Sequence, residues 1–367
     1  ELTAIILQVI RTSHKTHPFL LELLKLLQKS SSEENDLHLL MPFITKHLLH
    51  SFYKSPLYCS FIYQLTKIGQ ISIEKIVNQI FIFDQFSSQK NPANNLDNLE
   101  LSEIYYHRNA MIWFFPEILA VNPANINKIL DGLNNKEFRF LQFYMNHIEN
   151  FKKMRDTGEP EDQITLAILH DDVDTLQSII ASRNININNE KIPMSIFDLF
   201  DRNIEKSYIN YAAECGAVKS FKYLLLNSAK LDILTLGFAV YGGNSEIIRI
   251  IEQDNTYFKN YVDDFDDDDY LHTNYYFNIE CLLNPIISSI MTHSYDLFTW
   301  ILEKKSKKIN IKSLLSFSAQ NGNINAIIQL NDKELISFNN LTNISSMLSM
   351  AADSGFYRFI QMLLNMN

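Results

Sequence analysis

Cysteine is scarce in this chain: three in 367 residues, Cys59, Cys215 and Cys281, standing 156 and 66 residues apart. An odd count excludes a closed disulfide framework and the spacing fits no zinc site, so reduced thiols in a cytosolic setting are expected. Long apolar runs are missing too. The longest, MIWFFPEILAV at 111–121, is broken by Pro116 and Glu117 and falls well short of the roughly 20 residues that span a bilayer. No membrane crossing is expected. The apolar opening LTAIILQVI has neither a basic leader nor a small-residue cleavage site, so as it stands it is not a secretory signal. There is no glycine-rich phosphate loop, no HExxH, no GxSxG and no CxxC, and nothing in the motifs favours an enzyme. Positive charge is also short, with 32 Lys and Arg against 42 Asp and Glu, a net charge of −10. Residues 1–150 hold 13 against 14, which leaves −9 on the remainder. A surface of that sign repels a phosphate backbone, so nucleic acid is a poor partner and a basic protein surface a better one.

A hydrophobic content of 46% and a charged content of 20% describe a chain that folds. Its length exceeds one compact core and suits two domains or one elongated array. The organising stretch is Ser207–Asn227, SYINYAAECGAVKSFKYLLLN. Ala212 and Ala213 are small enough to let two helices lie close. Gly216 sits where a helix ends and the backbone needs positive φ. Val218, Phe221, Leu224 and Leu225 then share one face of a second helix. Such a pair buries too little to fold alone and needs similar pairs beside it.

Sliding that spacing along the chain finds copies. Ala239–Ile251, Ser318–Leu330 and Ala351–Leu364 keep the glycine, as Gly243, Gly322 and Gly355. Ala167–Ile180 and Ser289–Leu302 have Asp171 and His293 in its place. The turn positions 171, 216, 243, 293, 322 and 355 are separated by 45, 27, 50, 29 and 33 residues, against the roughly 33 of a regular ankyrin array. Insertions are expected in the two long gaps and loss of the connecting hairpin in the short ones.

Asn284-Pro285-Ile286 and Ser207-Tyr208-Ile209 precede the small residues as the threonine, proline, leucine run does in ankyrin repeats. From about Met154 to Asn255 the chain resembles a large family of divergent ankyrin proteins of parasitic protists. The resemblance rests on MRDTGEPED, PMSIFDLF at 193–200, YAAECGAVKSFKYLL and LGFAVYGGNSEIIRIIE. Much of that family's repeat region is a domain of unknown function, so the resemblance carries no catalytic residue, cofactor or metal with it. With the copies that continue to the C-terminus, it implies an all-α fold, an ankyrin-type helical-repeat solenoid over 151–367 with about six divergent repeats; the α-helical region expected over 1–150 is read from its own spacing.

In that N-terminal region the apolar spacing predicts helices within 1–30, the second with Phe19, Leu20, Leu23, Leu24 and Leu27 on one face, and then over about 37–54, 57–69 and 73–86. Ser72 is the expected N-cap of the last, with Ile73, Ile76, Val77 and Ile80 as its buried stripe. SSQKNPANNLDN at 87–98 reads as a loop, and one longer helix is expected over about 136–155. These hairpins are open to two readings: degenerate continuation of the stack, or a separate bundle.

Other clusters point to little chemistry. DDFDDDD at 263–269, inside an insertion at about 255–280, lacks the alternating spacing and glycine of a calcium loop and reads as a solvated acidic loop. Lys304, Lys305, Lys307 and Lys308 read as a helix end favoured by its dipole, with a nuclear address as the alternative. His14 with His17, and His47 with His50, have metal-pair spacing but no fixed third ligand.

The resemblance also supplies the geometry of a recognition surface, because in ankyrin units the two residues before the turn face the concave groove. Glu214, Tyr241, Met291, Gln320, Asn321 and Asp353 are the residues so implicated. They combine an aromatic and a flexible apolar centre with acidic neighbours, which suits a partner with a basic rim. The expected function is a monomeric, cytoplasmic, non-catalytic scaffold or adaptor that binds another protein, without cofactor. The alternatives are the targeting arm of an enzyme whose catalytic domain lies outside this chain, and an architectural spacer. Both ends read as cuts from a longer protein, an expectation under which targeting signals lie elsewhere.

Overall fold

The computed structural model describes residues 6, 9–10, 17–29, 40–51, 56–88, 110–121, 123–125, 127, 130, 135–193, 205–232, 234–254, 284–304, 311–333, 335, 341–354 and 356–365. The acidic tract at 263–269, Lys305, Lys307, Lys308, Cys281, His14, Gly355 and nearly all of PMSIFDLF lie outside the described residues. The described residues form helices and short connections, with one isolated antiparallel bridge between Lys191 and Ser207. The all-α expectation is met at that level. None of the described helices is long and apolar enough to cross a membrane.

The chain divides into two compact units, residues 2–161 and residues 162–193 with 204–367. The first contains α1 (His17–Lys29), α2 (Leu40–Ser51), α3 (Pro56–Lys67), α4 (Ile73–Ser88), α5 (Phe115–Val121), a 3₁₀ turn (Pro123–Asn125), α6 (Asn135–Asn146) and α7 (Ile148–Thr157). Ser72 caps α4 as expected, accepting from the Lys75 amide at 3.3 Å. Ile76, Val77 and Ile80 are buried there, while Ile73 lies outside the stripe at 42% exposed. On α1 the buried face is Leu20, Leu21 and Leu24, and both Phe19 and Leu23 are exposed. A leucine-rich helix offers two adjoining apolar faces, and spacing alone does not choose between them.

The single helix expected over 136–155 is two helices. His147 breaks it with a non-helical backbone (φ −131°, ψ 47°), its ring bonded to the Phe143 carbonyl at 2.8 Å. The break lets α6 fold back on α7, bringing the Phe140 and Tyr144 rings to 6.4 and 5.3 Å from Phe151.

Arg155, on α7, is the ionic centre of this unit. Its guanidinium is fully buried and forks onto both Glu117 carboxylate oxygens at 2.8 Å, donating as well to the Trp113 carbonyl at 3.0 Å. It also sits 4.2 Å over the Tyr63 ring. Bidentate pairing is what makes a charge tolerable in such a place. Next to it, the Tyr63 hydroxyl donates to Asp156, which also pairs with Lys67. Burial pulls the Asp156 carboxyl up, but the bonds from Lys67 and Tyr63 and the charges of Lys67 and Arg155 outweigh it, leaving it below the usual carboxylate range.

The second unit is a row of helical pairs. Six are seen among the described residues: α8 (Gln163–Leu169) with α9 (Val173–Arg183), α10 (Tyr208–Glu214) with α11 (Val218–Leu226), α12 (Thr235–Gly242) with α13 (Ser245–Gln253), α14 (Pro285–Met291) with α15 (Tyr295–Lys304), α16 (Ile311–Asn321) with α17 (Ile324–Asp332), and α18 (Leu341–Ser354) with α19 (Tyr357–Asn365). Every first helix packs against the first helix of the next pair, and among second helices α9 packs on α11, α11 on α13 and α15 on α17. The core is therefore one continuous apolar cluster, from Ile164 to Leu363. First helices lengthen from 7 residues in α8 to 11 and 14 in α16 and α18, so the pairs are not uniform.

Five of the six pairs turn on a residue of positive φ at the expected position: Asp171 (53°), Gly216 (65°), Gly243 (68°), His293 (54°) and Gly322 (63°). The amide after the turn donates back to the carbonyl five residues earlier, as in Asp172 to Ala167, Ala217 to Ala212, Ser294 to Ser289 and Asn323 to Ser318. At the same four turns the turn residue's own amide donates to the carbonyl three residues back, Asp171 to Ile168, Gly216 to Ala213, His293 to Ile290 and Gly322 to Ala319, so one pair of reverse bonds closes each of these helix ends. Gly243 instead donates directly to Ala239 and Val240.

Candidate functional site

Two rows of residues matter in the second unit, those at the turns and those just before them. At the turns, side chains reach from one pair to the next. Asp171 takes the left-handed backbone at a cost that glycine would avoid, about 1–2 kcal/mol. Its carboxylate accepts from the amides of Lys219 (3.1 Å) and Ser220 (2.7 Å). Those amides open α11, whose own N-cap, Ala217, supplies no side-chain bond. Asp171 therefore caps a helix of the neighbouring pair.

Asn244 and Asn323 do the converse. Each caps its own second helix through its side-chain oxygen, Asn244 at Glu246 and Ile247 and Asn323 at Ala326. Each donates its amide backward, Asn244 to the Gly216 carbonyl (3.2 Å) and Asn323 to the Ile290 carbonyl (2.8 Å). His293 Nε2 donates to the Asn321 carbonyl at 3.0 Å. Burial holds the His293 imidazole below its usual pKa, and the bond to Asn321 offsets only part of that.

Gly242, the last residue of α12, lies against the end of α10. A Cβ there would lie 2.3 Å from the Ala213 carbonyl oxygen and 2.7 Å from that of Glu214. The two helices are thus close enough to touch backbone to backbone.

Of the six residues implicated by sequence, Glu214, Tyr241 and Gln320 are partly exposed. Met291 is buried at 7% exposed and Asn321 at 0%, so neither presents a side chain to an open groove. The reason is local: Met291 belongs to the continuous core, and Asn321 turns its amide back onto the Phe317 carbonyl at 2.9 Å while its own carbonyl receives His293. The backbone of Asp353 is in the last turn of α18, and its side chain lies outside the described residues.

Glu214 is not a bare charge. Its carboxylate pairs with Lys206 at 3.0 Å, and that lysine is itself buried, its ammonium 5.7 Å from the Phe238 ring. The pairing runs eight residues, from just before the Ser207 cap to the last residue of α10, outside the reach of any helical spacing rule. Nearby, Asn210 donates to Asp232 (2.8 Å) and accepts from Thr235 (2.8 Å), tying α10 to the start of α12. Tyr208 donates to Glu190 at 3.4 Å; burial first, then the charges of Glu190 and Asp162, push its phenol up to about 12.

Among the described residues no group of three or more His, Cys, Asp or Glu is placed to share a metal ion. Cys59 is buried in the first unit, where desolvation raises its thiol well above the ordinary value. A thiol held protonated is a poor nucleophile.

Neither a scan against protein-family models nor a search of curated proteins finds a match to this chain.

Proposed function

We propose that the chain is a protein-binding scaffold, its second unit an ankyrin-type stack that presents the residues before each turn to a partner. One observation carries the reading. The six pairs contact one another through their first helices in sequence order, and five of them turn on a residue of positive φ at the position that the sequence pattern marks. A row built this way sets side chains of unlike character at equivalent places, and such surfaces serve binding by variation along the row.

The narrowed surface is Glu214, Tyr241 and Gln320, with Asp353 kept from the sequence pattern. Tyr241 is the anchor expected to contribute most, since aromatic residues dominate binding energy at interfaces. A partner with a basic rim suits the −9 charge of residues 151–367. No reaction is assigned to the chain in this reading.

The test is quantitative capture with immobilised wild-type chain and a Tyr241→Ala/Gln320→Ala variant, scored by mass spectrometry with salt as a second variable. A defined set of basic-surfaced proteins should be recovered about 10-fold less by the variant, roughly 1.4 kcal/mol, with helical circular dichroism unchanged. Equal recovery would rule out this surface.

A further inference from the structure

Of the nine glycines in the sequence, only Gly322 follows an asparagine. An asparagine followed by glycine carries a reaction of its own. The glycine amide nitrogen gives up its proton and attacks the asparagine Cγ, the Cγ to Nδ2 bond breaks, and ammonia leaves with that proton. Water then opens the five-membered imide. Breaking the nitrogen's bond to Cγ leaves aspartate, whereas breaking its bond to the main-chain carbon leaves isoaspartate, with an extra methylene in the backbone. Glycine favours the attack because no side chain shields its nitrogen.

In the folded stack each participant in that reaction is held. Asn321 is the last residue of α16 and is 0% exposed. Ring closure requires its Cβ and the Gly322 nitrogen to eclipse about the Asn321 Cα to C bond, and a helical ψ keeps them apart. The leaving amide donates to the Phe317 carbonyl at 2.9 Å, the attacking N–H donates to the Ala319 carbonyl at 3.3 Å, and the Asn321 carbonyl receives His293 at 3.0 Å. Neighbouring pairs close the place from both sides. His293 comes from the fourth, and Phe356 of the sixth lays its ring where a Cβ on Gly322 would meet it at 2.5 Å.

Neither product fits where Asn321 stood. Aspartate puts a charge at a fully buried position and sets an acceptor oxygen, in place of the donor Nδ2, against the Phe317 carbonyl. Isoaspartate lengthens the main chain and throws out of register the two reverse bonds that end α16, Gly322 to Ala319 and Asn323 to Ser318. The joint to the fourth pair depends on the same turn, through Asn323 on the Ile290 carbonyl and His293 on Asn321. We propose that Asn321 is a deamidation site gated by the fold: sealed while the stack is closed, cyclising onto Gly322 when the fifth pair opens, and thereafter keeping that pair from closing. Local opening costs less than global unfolding, so the reaction draws on fluctuations of the native chain and makes them permanent.

Parallel incubation of the full chain in native buffer and in urea, at the same mildly alkaline pH, tests it. Peptide mass spectrometry scores loss of the amide at position 321, and electron-transfer fragmentation separates isoaspartate from aspartate. In urea, position 321 should be the fastest asparagine to react; in native buffer it should react at least about 100-fold more slowly, a ratio set by the free energy of opening. The native rate should follow hydrogen exchange of the Gly322 and Asn323 amides, which the same opening frees. After dilution from urea, chains modified at position 321 should melt below the unmodified chains of the same sample, and Asn321→Asp, which installs one product directly, should melt below the wild type. Equal rates in the two buffers would overturn the proposal, as would a native rate that does not follow exchange of those amides. So would a urea reaction no faster at position 321 than at other asparagines, or modified chains or an Asn321→Asp variant with the wild-type midpoint.

Discussion

Adjacent glycines should respond to the same substitution in the reverse order of their turn geometry, Gly242 losing more than Gly243. Gly243 is the turn residue, at φ 68°, and spacing alone marks it as the sensitive one. A Cβ there meets nothing within 4 Å, so Gly243→Ala costs only the left-handed backbone, about 1–2 kcal/mol. Lower chain entropy in the unfolded state returns about 0.4–1 kcal/mol of that. Gly242 has no positive φ, yet its Cβ would be 2.3 Å from the Ala213 carbonyl oxygen. Backbone cannot rotate aside as a side chain can, so α12 must back away from α10 and loosen the contacts around Ala212, Ala213 and Ala239. Overpacking of this kind costs about 1–3 kcal/mol or more. In a unit of some 200 residues each kcal/mol moves the midpoint by about 2–4 °C. Gly242→Ala should therefore lower Tm by roughly 2–12 °C and Gly243→Ala by no more than about 6 °C, read by circular dichroism at 222 nm. If Gly243→Ala proves the more damaging of the two, the close approach of α10 and α12 is wrong.

Four further outcomes are expected. Glu117→Ala should destabilise the first unit by about 3–5 kcal/mol in urea titration, because it leaves the buried Arg155 without its carboxylate; Glu117→Leu with Arg155→Met should recover much of that. His293 has a folded-state pKa below its usual 6.5, so the unfolded chain binds more protons just below that pH. Its contribution to stability is complete above about pH 6.5 and is lost as pH falls, and His293→Asn, which tolerates the left-handed turn, should flatten that part of a stability–pH curve. Gly322→Ala brings a Cβ to 2.5 Å from the Phe356 ring at φ 63°, and Phe356→Leu should rescue part of the loss in a double-mutant cycle. Gly243→Val should cost more than Gly243→Ala, since β-branching at positive φ is strongly disfavoured.

Much of the second unit is legible in sequence because it repeats. Six short segments with small residues before a turn and aliphatic residues after it fix where the helices lie, and they locate the turn even where Asp171 and His293 replace glycine. What that pattern does not carry is the use of the turn side chains. Nothing in the spacing of Asp171 says that its carboxylate crosses to Lys219 and Ser220, because those partners are 48 and 49 residues away. Met291 and Asn321 were placed on the surface by position within a unit, and tertiary contacts took them inside. The first unit was less readable for a different reason. Its helices are apolar on more than one side, so Phe19 and Leu23 could be assigned to either face, and the break at His147 has no proline or glycine to announce it.

Amide hydrogen exchange at Lys219 and Ser220 tests most directly the claim that the helical pairs are joined at their turns. First-turn amides have no partner within their own helix and ordinarily exchange freely. With Asp171 capping them from the preceding pair, both should be protected in the native chain, and Asp171→Ala should abolish that protection while the interior of α11 stays slow. Free exchange at Lys219 and Ser220 in the native chain, or protection that survives the substitution, would contradict the stack described here.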